Sequence, residues 1–163
     1  MNGIYVLLGS NLGDRLAQLR EASRQLQQEG IKVLNESSIY ETAPWGKENQ
    51  DWFLNVVLQL ETSLSSNDLL GRCLSIEEKM GRKRTEKWSQ RIIDIDILYY
   101  KDEVSDSEDL ILPHPGIPDR RFTLIPLDEL APEEIHPVLR QTQKELLANC
   151  TDQLACKLTE FYL

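Results

Sequence analysis

Two carboxylates stand where carboxylates are costly. Residues 91–100, RIIDIDILYY, read as a buried strand rich in isoleucine, yet Asp94 and Asp96 lie inside it. Strands are poor in Asp, and a buried charge needs a partner. Side chains alternate along a strand, so the two acids share one face, about 7 Å apart, while Ile93, Ile95 and Ile97 share the other. Like charges this close repel unless a cation sits between them. Oxygen donors suit Mg²⁺, which takes one or two carboxylates and completes its shell with substrate phosphates. The plain alternative is an edge strand with solvated aspartates, and these two residues alone do not decide between the readings.

The preceding segment favours the metal. RKRTEKWSQR (82–91) places Arg82, Lys83, Arg84, Lys87 and Arg91 beside the acids, five cations in ten residues of an acidic protein. A charge run is usually a solvated face. Next to a carboxylate-held metal, however, guanidinium and ammonium groups are what a polyphosphate needs. The glycine pattern of a P-loop is absent, and GSNLGD is too loose for a dinucleotide fingerprint. A bound nucleotide would therefore be held by side-chain cations.

Aromatic residues stand in or beside expected loops: Trp45, Trp52, Phe53, Trp88 and Phe122. Each alone fits a core position. Together, with Asn55 nearby, they suggest a flat heteroaromatic ligand stacked by rings and read by an amide. His114, between two prolines, is either a phosphate contact or a turn residue. His136 is expected on the surface.

The elements that must position these groups follow from periodicity. GIYVLLG (3–9) reads as a central strand, and Asn11 with Asp14 resembles a helix start. Leu12, Leu16, Leu19, Ser23 and Leu26 recur at helical spacing until Gly30. Residues 31–40 read as a second strand and 41–52 as a long loop of the kind often used for function. In FLNVVLQLE (53–61), Leu54, Val56, Leu58 and Leu60 form a core face, with Phe53, Asn55, Val57, Gln59 and Glu61 on a face outside the core. Ser65 and Asp68 open an amphipathic helix carrying Leu69, Leu70, Cys73, Leu74 and Met80, closed by Gly81; Glu77 falls on its apolar stripe. Residues 82–91 form a loop and 92–100 a strand. Residues 110–122 are proline-rich and irregular, and a last helix lies within 133–150. The order β-α-β-β-α-β predicts an α+β, ferredoxin-like fold: an antiparallel sheet with both helices on one face and active-site loops on the other.

Composition bounds the rest. A chain of 163 residues predicts one domain over 1–163. A net charge of −9 argues against binding to nucleic-acid backbones or acidic membrane surfaces. The N-terminus has no basic leader, and no run approaches the roughly 20 apolar residues of a membrane span. Cys73, Cys150 and Cys156 match no common zinc spacing and read as reduced thiols, so a cytoplasmic protein is expected.

The motifs LGSNLGD (8–14), YETAPWG (40–46), FLN (53–55), GRKR (81–84), RIIDIDIL (91–98), LPHP (112–115) and RRF (120–122) resemble those of the 6-hydroxymethyl-7,8-dihydropterin pyrophosphokinases of folate biosynthesis. The resemblance implies that ATP donates its β,γ-diphosphate to the hydroxymethyl group of 6-hydroxymethyl-7,8-dihydropterin, leaving AMP. It implies that Asp94 and Asp96 hold two Mg²⁺ ions, with Arg82 and Arg91 also catalytic. Phe53 and Phe122 would stack the pterin, and Thr42, Pro44, Trp45 and Asn55 would complete its site. Glu77, Arg82, Arg84, Trp88, Arg91, Ile97, His114 and Arg120 would contact the nucleotide. ATP and the pterin are the expected partners, and a monomer is expected. Ser89-Gln90 stands where the family usually carries Gly-Pro, and Phe53 where Tyr is frequent. Asp109 replaces a basic residue of some members, so no nucleotide contact is assigned there. A regulatory ferredoxin-like domain would need no paired aspartates beside an arginine-rich loop. A Mg²⁺-dependent nuclease or phosphatase would need neither the loop aromatics nor Asn55.

Overall fold

The structure is a computed structural model that describes residues 3–45, 49–81 and 92–163. Strand β1 (Ile4–Ser10) is buried along its whole length, as a run of apolar residues bounded by turn residues predicts. It lies between β4 (Phe53–Glu61) and β5 (Asp94–Tyr100), antiparallel to both. Strands β2 (Lys32–Glu36) and β3 (Tyr40–Thr42) pair with successive stretches of β4, again antiparallel. Helix α1 (Arg15–Gln28) links β1 to β2 across β4, and α2 (Ser66–Lys79) links β4 to β5 across β1. These two interleaved crossovers are the ferredoxin-like arrangement read from the sequence.

Both crossover helices pack on one face. Leu19, Ala22 and Leu26 of α1 and Leu69, Cys73 and Ile76 of α2 meet Val6, Leu8, Leu54, Val56, Leu58 and Ile95 in one core. Local rules set the helix ends with one adjustment. Asp14, not Asn11, caps α1 by accepting the Ala17 N–H, so Leu12 lies outside the helix and is exposed. Ser65 accepts the Asp68 N–H at the start of α2, as expected. Gly30 and Gly81, both at positive φ, follow the two C-termini.

The other sheet face carries, besides the expected loops, the last helix expected within 133–150 and one helix that was not expected. Helix α3 (Arg121–Leu130) and helix α4 (Gln143–Asn149) cover part of it. Leu124 and Leu127 of α3 and Leu146 of α4 join Tyr5, Leu7, Val57, Leu98 and Tyr99 in a second core. Val57 is therefore fully buried, not on a face outside the core. Pro126 inside α3 hides that helix from a sequence reading, since proline removes a helical N–H. The expected second strand over 31–40 is two short strands, and β3 runs into the stretch read as loop. Two further short pieces, β6 (Ser105–Asp106) and β7 (Ile111–Leu112), form a separate hairpin. Strand β8 (Cys156–Leu158), unforeseen, adds to the outer edge of β3.

A bulge in β5 shifts the alternation of the strand by one residue. Tyr5 pairs with Tyr99 and Val6 with Ile97, so Leu98 is an extra residue. Ile93, Ile95 and Ile97 fill the first core, Leu98 and Tyr99 both belong to the second, and Tyr100 returns to the first. The Leu98 carbonyl accepts the His114 N–H at 2.9 Å, which fastens the proline-rich segment to the strand. His136 is a correction: it is buried, with its ring edge-on to Tyr99 at 5.5 Å and Nδ1 accepting the Val138 and Leu139 N–H groups. Among the described residues no helix is long and apolar enough to cross a membrane.

Candidate active site

The second sheet face is shared between a core and a cavity, and register decides which residues go where. Gly9 pairs with Asp94 on one side and with Asn55 on the other. One row across three strands thus reads Asp94, Gly9, Asn55, all facing the same way. The next row, Asp96, Leu7 and Val57, leads into the second core. Where the core ends, a cavity of about 350 Å³ opens over the first row. Thr42, Trp45, Phe53, Asn55, Asp94, Asp96, His114, Arg120 and Phe122 line it, joined by Leu7, Gly9, Ala43 and Gln50. Pro44 lies between two lining residues but is not part of the wall.

Gly9 keeps the floor open. A Cβ there would lie 2.7 Å from Asn55 Oδ1, closer than packed atoms approach. Asn55 is itself buried and donates Nδ2–H to Thr42 Oγ1 at 2.6 Å. That bond orients the amide. The Arg120 guanidinium lies over the Trp45 ring, 4.7 Å from its centroid, and 6.0 Å from that of Phe122. The cavity thus already holds a flat cation against aromatic faces, a geometry that also suits a flat heterocycle.

A second cavity of about 330 Å³ lies on the other side of the aspartates. Glu77, Ile97 and His114 line it together with Asp94, Asp96, Leu70, Leu74 and the segment 108–111. Glu77 is buried, and the Ile95 N–H donates to its Oε1 at 2.7 Å. His114 faces both cavities. Its Nδ1 accepts the Gly116 N–H at 3.0 Å, which leaves the proton of the neutral ring on Nε2. Its pKa is lowered to about 4, chiefly by burial and also by the Arg120 charge, with Asp94 acting in the opposite direction. At neutral pH the ring is an uncharged Nε2–H donor.

The structure therefore brings together nine of the expected residues around one cavity and places Glu77 and Ile97 in the adjoining one. Arg82, Arg84, Trp88 and Arg91 lie outside the described residues. Trp52 belongs elsewhere: the Lys157 ammonium covers its ring at 4.8 Å. Sequence reasoning passed over Gly9, whose only signal was its place in LGSNLGD.

Asp94 and Asp96 are half-buried, share a face and reach both cavities. Their oxygen-only donor set fits a hard divalent cation completed by ligand phosphates. The nearby Cys73 is no competitor: burial holds its thiol up at about 12, with Glu77 and Asp96 adding to the rise. Among the described residues no larger His, Cys, Asp and Glu group could hold a metal.

The model of the 7,8-dihydro-6-hydroxymethylpterin-pyrophosphokinase (HPPK) family matches residues 5–132. The 2-amino-4-hydroxy-6-hydroxymethyldihydropteridine pyrophosphokinase of Methylorubrum extorquens is 43% identical over 149 residues, covering 91% of this chain and 93% of that protein. Its counterpart in Aquifex aeolicus is 44% identical over 145 residues, covering 89% and 90%. Among solved structures, Plasmodium falciparum HPPK-DHPS with pteroate superimposes with a TM-score of 0.72 at 18% identity over 90% of this chain. That likeness is one of fold, and this chain spans 44% of the solved one.

Proposed function

The chain belongs to the 7,8-dihydro-6-hydroxymethylpterin-pyrophosphokinase family, and from that premise we propose that it transfers the β,γ-diphosphate of ATP to 6-hydroxymethyl-7,8-dihydropterin. The hydroxymethyl oxygen attacks the β-phosphorus. The bond from that phosphorus to the α,β-bridging oxygen breaks, AMP leaves with that oxygen, and the hydroxyl proton is released.

The observation that carries this reading is the row Asp94, Gly9, Asn55. An amide that can read a heterocycle edge and an acid that can face phosphate stand on the two strands that flank β1, with only Gly9 between them. Asn55, oriented by Thr42, pairs with the pterin's polar edge, and Phe53 and Phe122 contact its faces. Trp45 and the chain around Pro44 complete that pocket. The hydroxymethyl group then points across Gly9 toward Asp94. Asp94 and Asp96 would hold Mg²⁺, two ions being expected, and its charge would polarise the phosphates and the attacking hydroxyl.

The nucleotide occupies the second cavity, against Glu77, Ile97 and His114. Neutral His114 donates Nε2–H to a phosphate oxygen, and Arg120, which lines the first cavity together with His114, reaches the phosphates from that side. Arg82, Arg84, Trp88 and Arg91 are assigned their nucleotide roles from the family resemblance. No side chain need act as an independent acid or base, because positioning and electrostatics carry phosphoryl transfer. The whole chain serves this one reaction as a monomer in the cytoplasm.

Mass spectrometry of products from ATP and the hydroxymethyl pterin tests the reading. AMP and pterin diphosphate in equal amounts are expected. ADP with a pterin monophosphate, or ATP consumption without pterin modification, would refute it.

A further inference from the structure

We propose that Asp152 is a positioning residue for the pterin cavity, the point at which the C-terminal segment 151–158 ties the cavity's two walls together. The proposal rests on the pterin reading of that cavity given above.

One wall is the first turn of α3, which carries Phe122. This helix begins without a cap of its own: Arg120 at its N-cap makes no side-chain capping bond. Asp152 supplies one from 31 residues away, with the Arg121 N–H donating to its Oδ2 at 3.0 Å. A carboxylate at a helix N-terminus is favoured both by the orphan N–H and by the helix dipole. The other oxygen of the same group, Oδ1, accepts the Leu154 N–H at 2.9 Å and turns the chain toward β8.

The opposite wall hangs on β8. Thr42 pairs with Cys156, and the ladder extends beyond β3, where the Ala43 N–H donates to the Ala155 carbonyl at 3.0 Å. Thr42 and Ala43 both line the cavity. Strand β3 has three residues and would be an outer edge without β8. One carboxylate therefore fixes the start of α3 and the entry to the strand that holds Thr42. Losing it should free the first turn of α3 but not the helix, because Leu124 and Leu127 anchor the rest in the second core.

Pterin affinity, measured by calorimetry with a non-hydrolysable ATP analogue and Mg²⁺ present, should fall about tenfold in Asp152→Ala, the size of one lost cap. Asp152→Asn keeps one acceptor oxygen, able to hold the Arg121 N–H but not the Leu154 N–H as well, and should recover part of it. In a Phe122→Ala background the same Asp152→Ala change should cost less than in the parent, since its effect passes through Phe122. Unchanged pterin affinity in Asp152→Ala, failure of Asp152→Asn to recover, or full additivity with Phe122→Ala each overturns the proposal. Hydrogen exchange of the ligand-free protein tests the tie separately. The Arg121 and Ala43 amides should both exchange faster in Asp152→Ala; a change at Arg121 alone overturns it. A parent protein that binds no pterin would defeat the functional reading instead, and the exchange arm then decides the structural one.

Discussion

The Ile95 N–H donates to Glu77 Oε1 at 2.7 Å, between Asp94 and Asp96 in sequence. Strand β5 is an edge strand, so its outward N–H groups need acceptors from outside the sheet. A buried helix residue provides one and holds the strand where its two acids must stay. Glu77→Ala leaves that N–H unsatisfied, for an expected loss of about 1–3 kcal/mol in urea denaturation. Glu77→Gln keeps an oxygen acceptor and should lose less. An alanine variant as stable as the parent would show that the bond contributes nothing.

Gly9 and Asn55 make a paired prediction. Gly9→Ala puts a methyl group 2.7 Å from Asn55 Oδ1, so the amide must turn away from its bond with Thr42. Asn55→Ala leaves part of the pterin edge unpaired, a loss of roughly 1–3 kcal/mol. Both variants should weaken pterin binding with little change in binding of an ATP analogue. Calorimetry with each ligand checks this, and parent-like pterin affinity in both would remove Asn55 from the site.

Asp96→Ala should lower turnover by orders of magnitude, because loss of a metal site sacrifices several kcal/mol of transition-state stabilisation. The core side of β5, with Ile93, Ile95 and Ile97 buried, is untouched by the change. Stability without Mg²⁺ should hold or rise, since one of two repelling carboxylates is gone. Steady-state kinetics beside thermal denaturation separates the two effects. Near-normal turnover in Asp94→Ala and Asp96→Ala alike would return the aspartates to a solvated edge.

His114 predicts a pH dependence with a definite sign. Its folded pKa is about 4 against an ordinary value of 6.5, so between those values the unfolded chain holds a proton that the folded protein does not. Its contribution is fully present above about pH 6.5 and fades as pH falls toward 4, by no more than about 3 kcal/mol. His114→Gln cannot titrate, so its urea midpoint should fall less steeply than the parent's between pH 6.5 and 4.5. Burial also lowers the His136 pKa, so some slope should persist in the variant. Parallel curves for parent and variant would contradict the neutral ring assigned here.

Local rules made much of this protein legible. Period two in residues 53–61 separates Leu54, Val56 and Leu58 from Phe53 and Asn55 without any knowledge of neighbours, and the same rule puts Asp94 and Asp96 on one face. Helical period and capping place α2 within a residue of its true start. The cost of burying charge then marks the acids and Glu77 as residues that need partners. Chemistry that depends on residue type and short spacing was thus already written in the chain.

Long-range register was not. Nothing local says that Gly9 stands between Asp94 and Asn55, because strand pairing depends on contacts that the chain makes only when folded. Helix α3 overrides its own proline because Leu124 and Leu127 gain a core. Strand β8 is too short to announce itself and exists because β3 offers an edge. His136 is buried by Tyr99, a residue 37 positions away. Sequence determined which groups could do the chemistry. Tertiary structure decided which of them meet, because only folding sets the register between distant strands and gives a buried polar group the partners that make its burial tolerable.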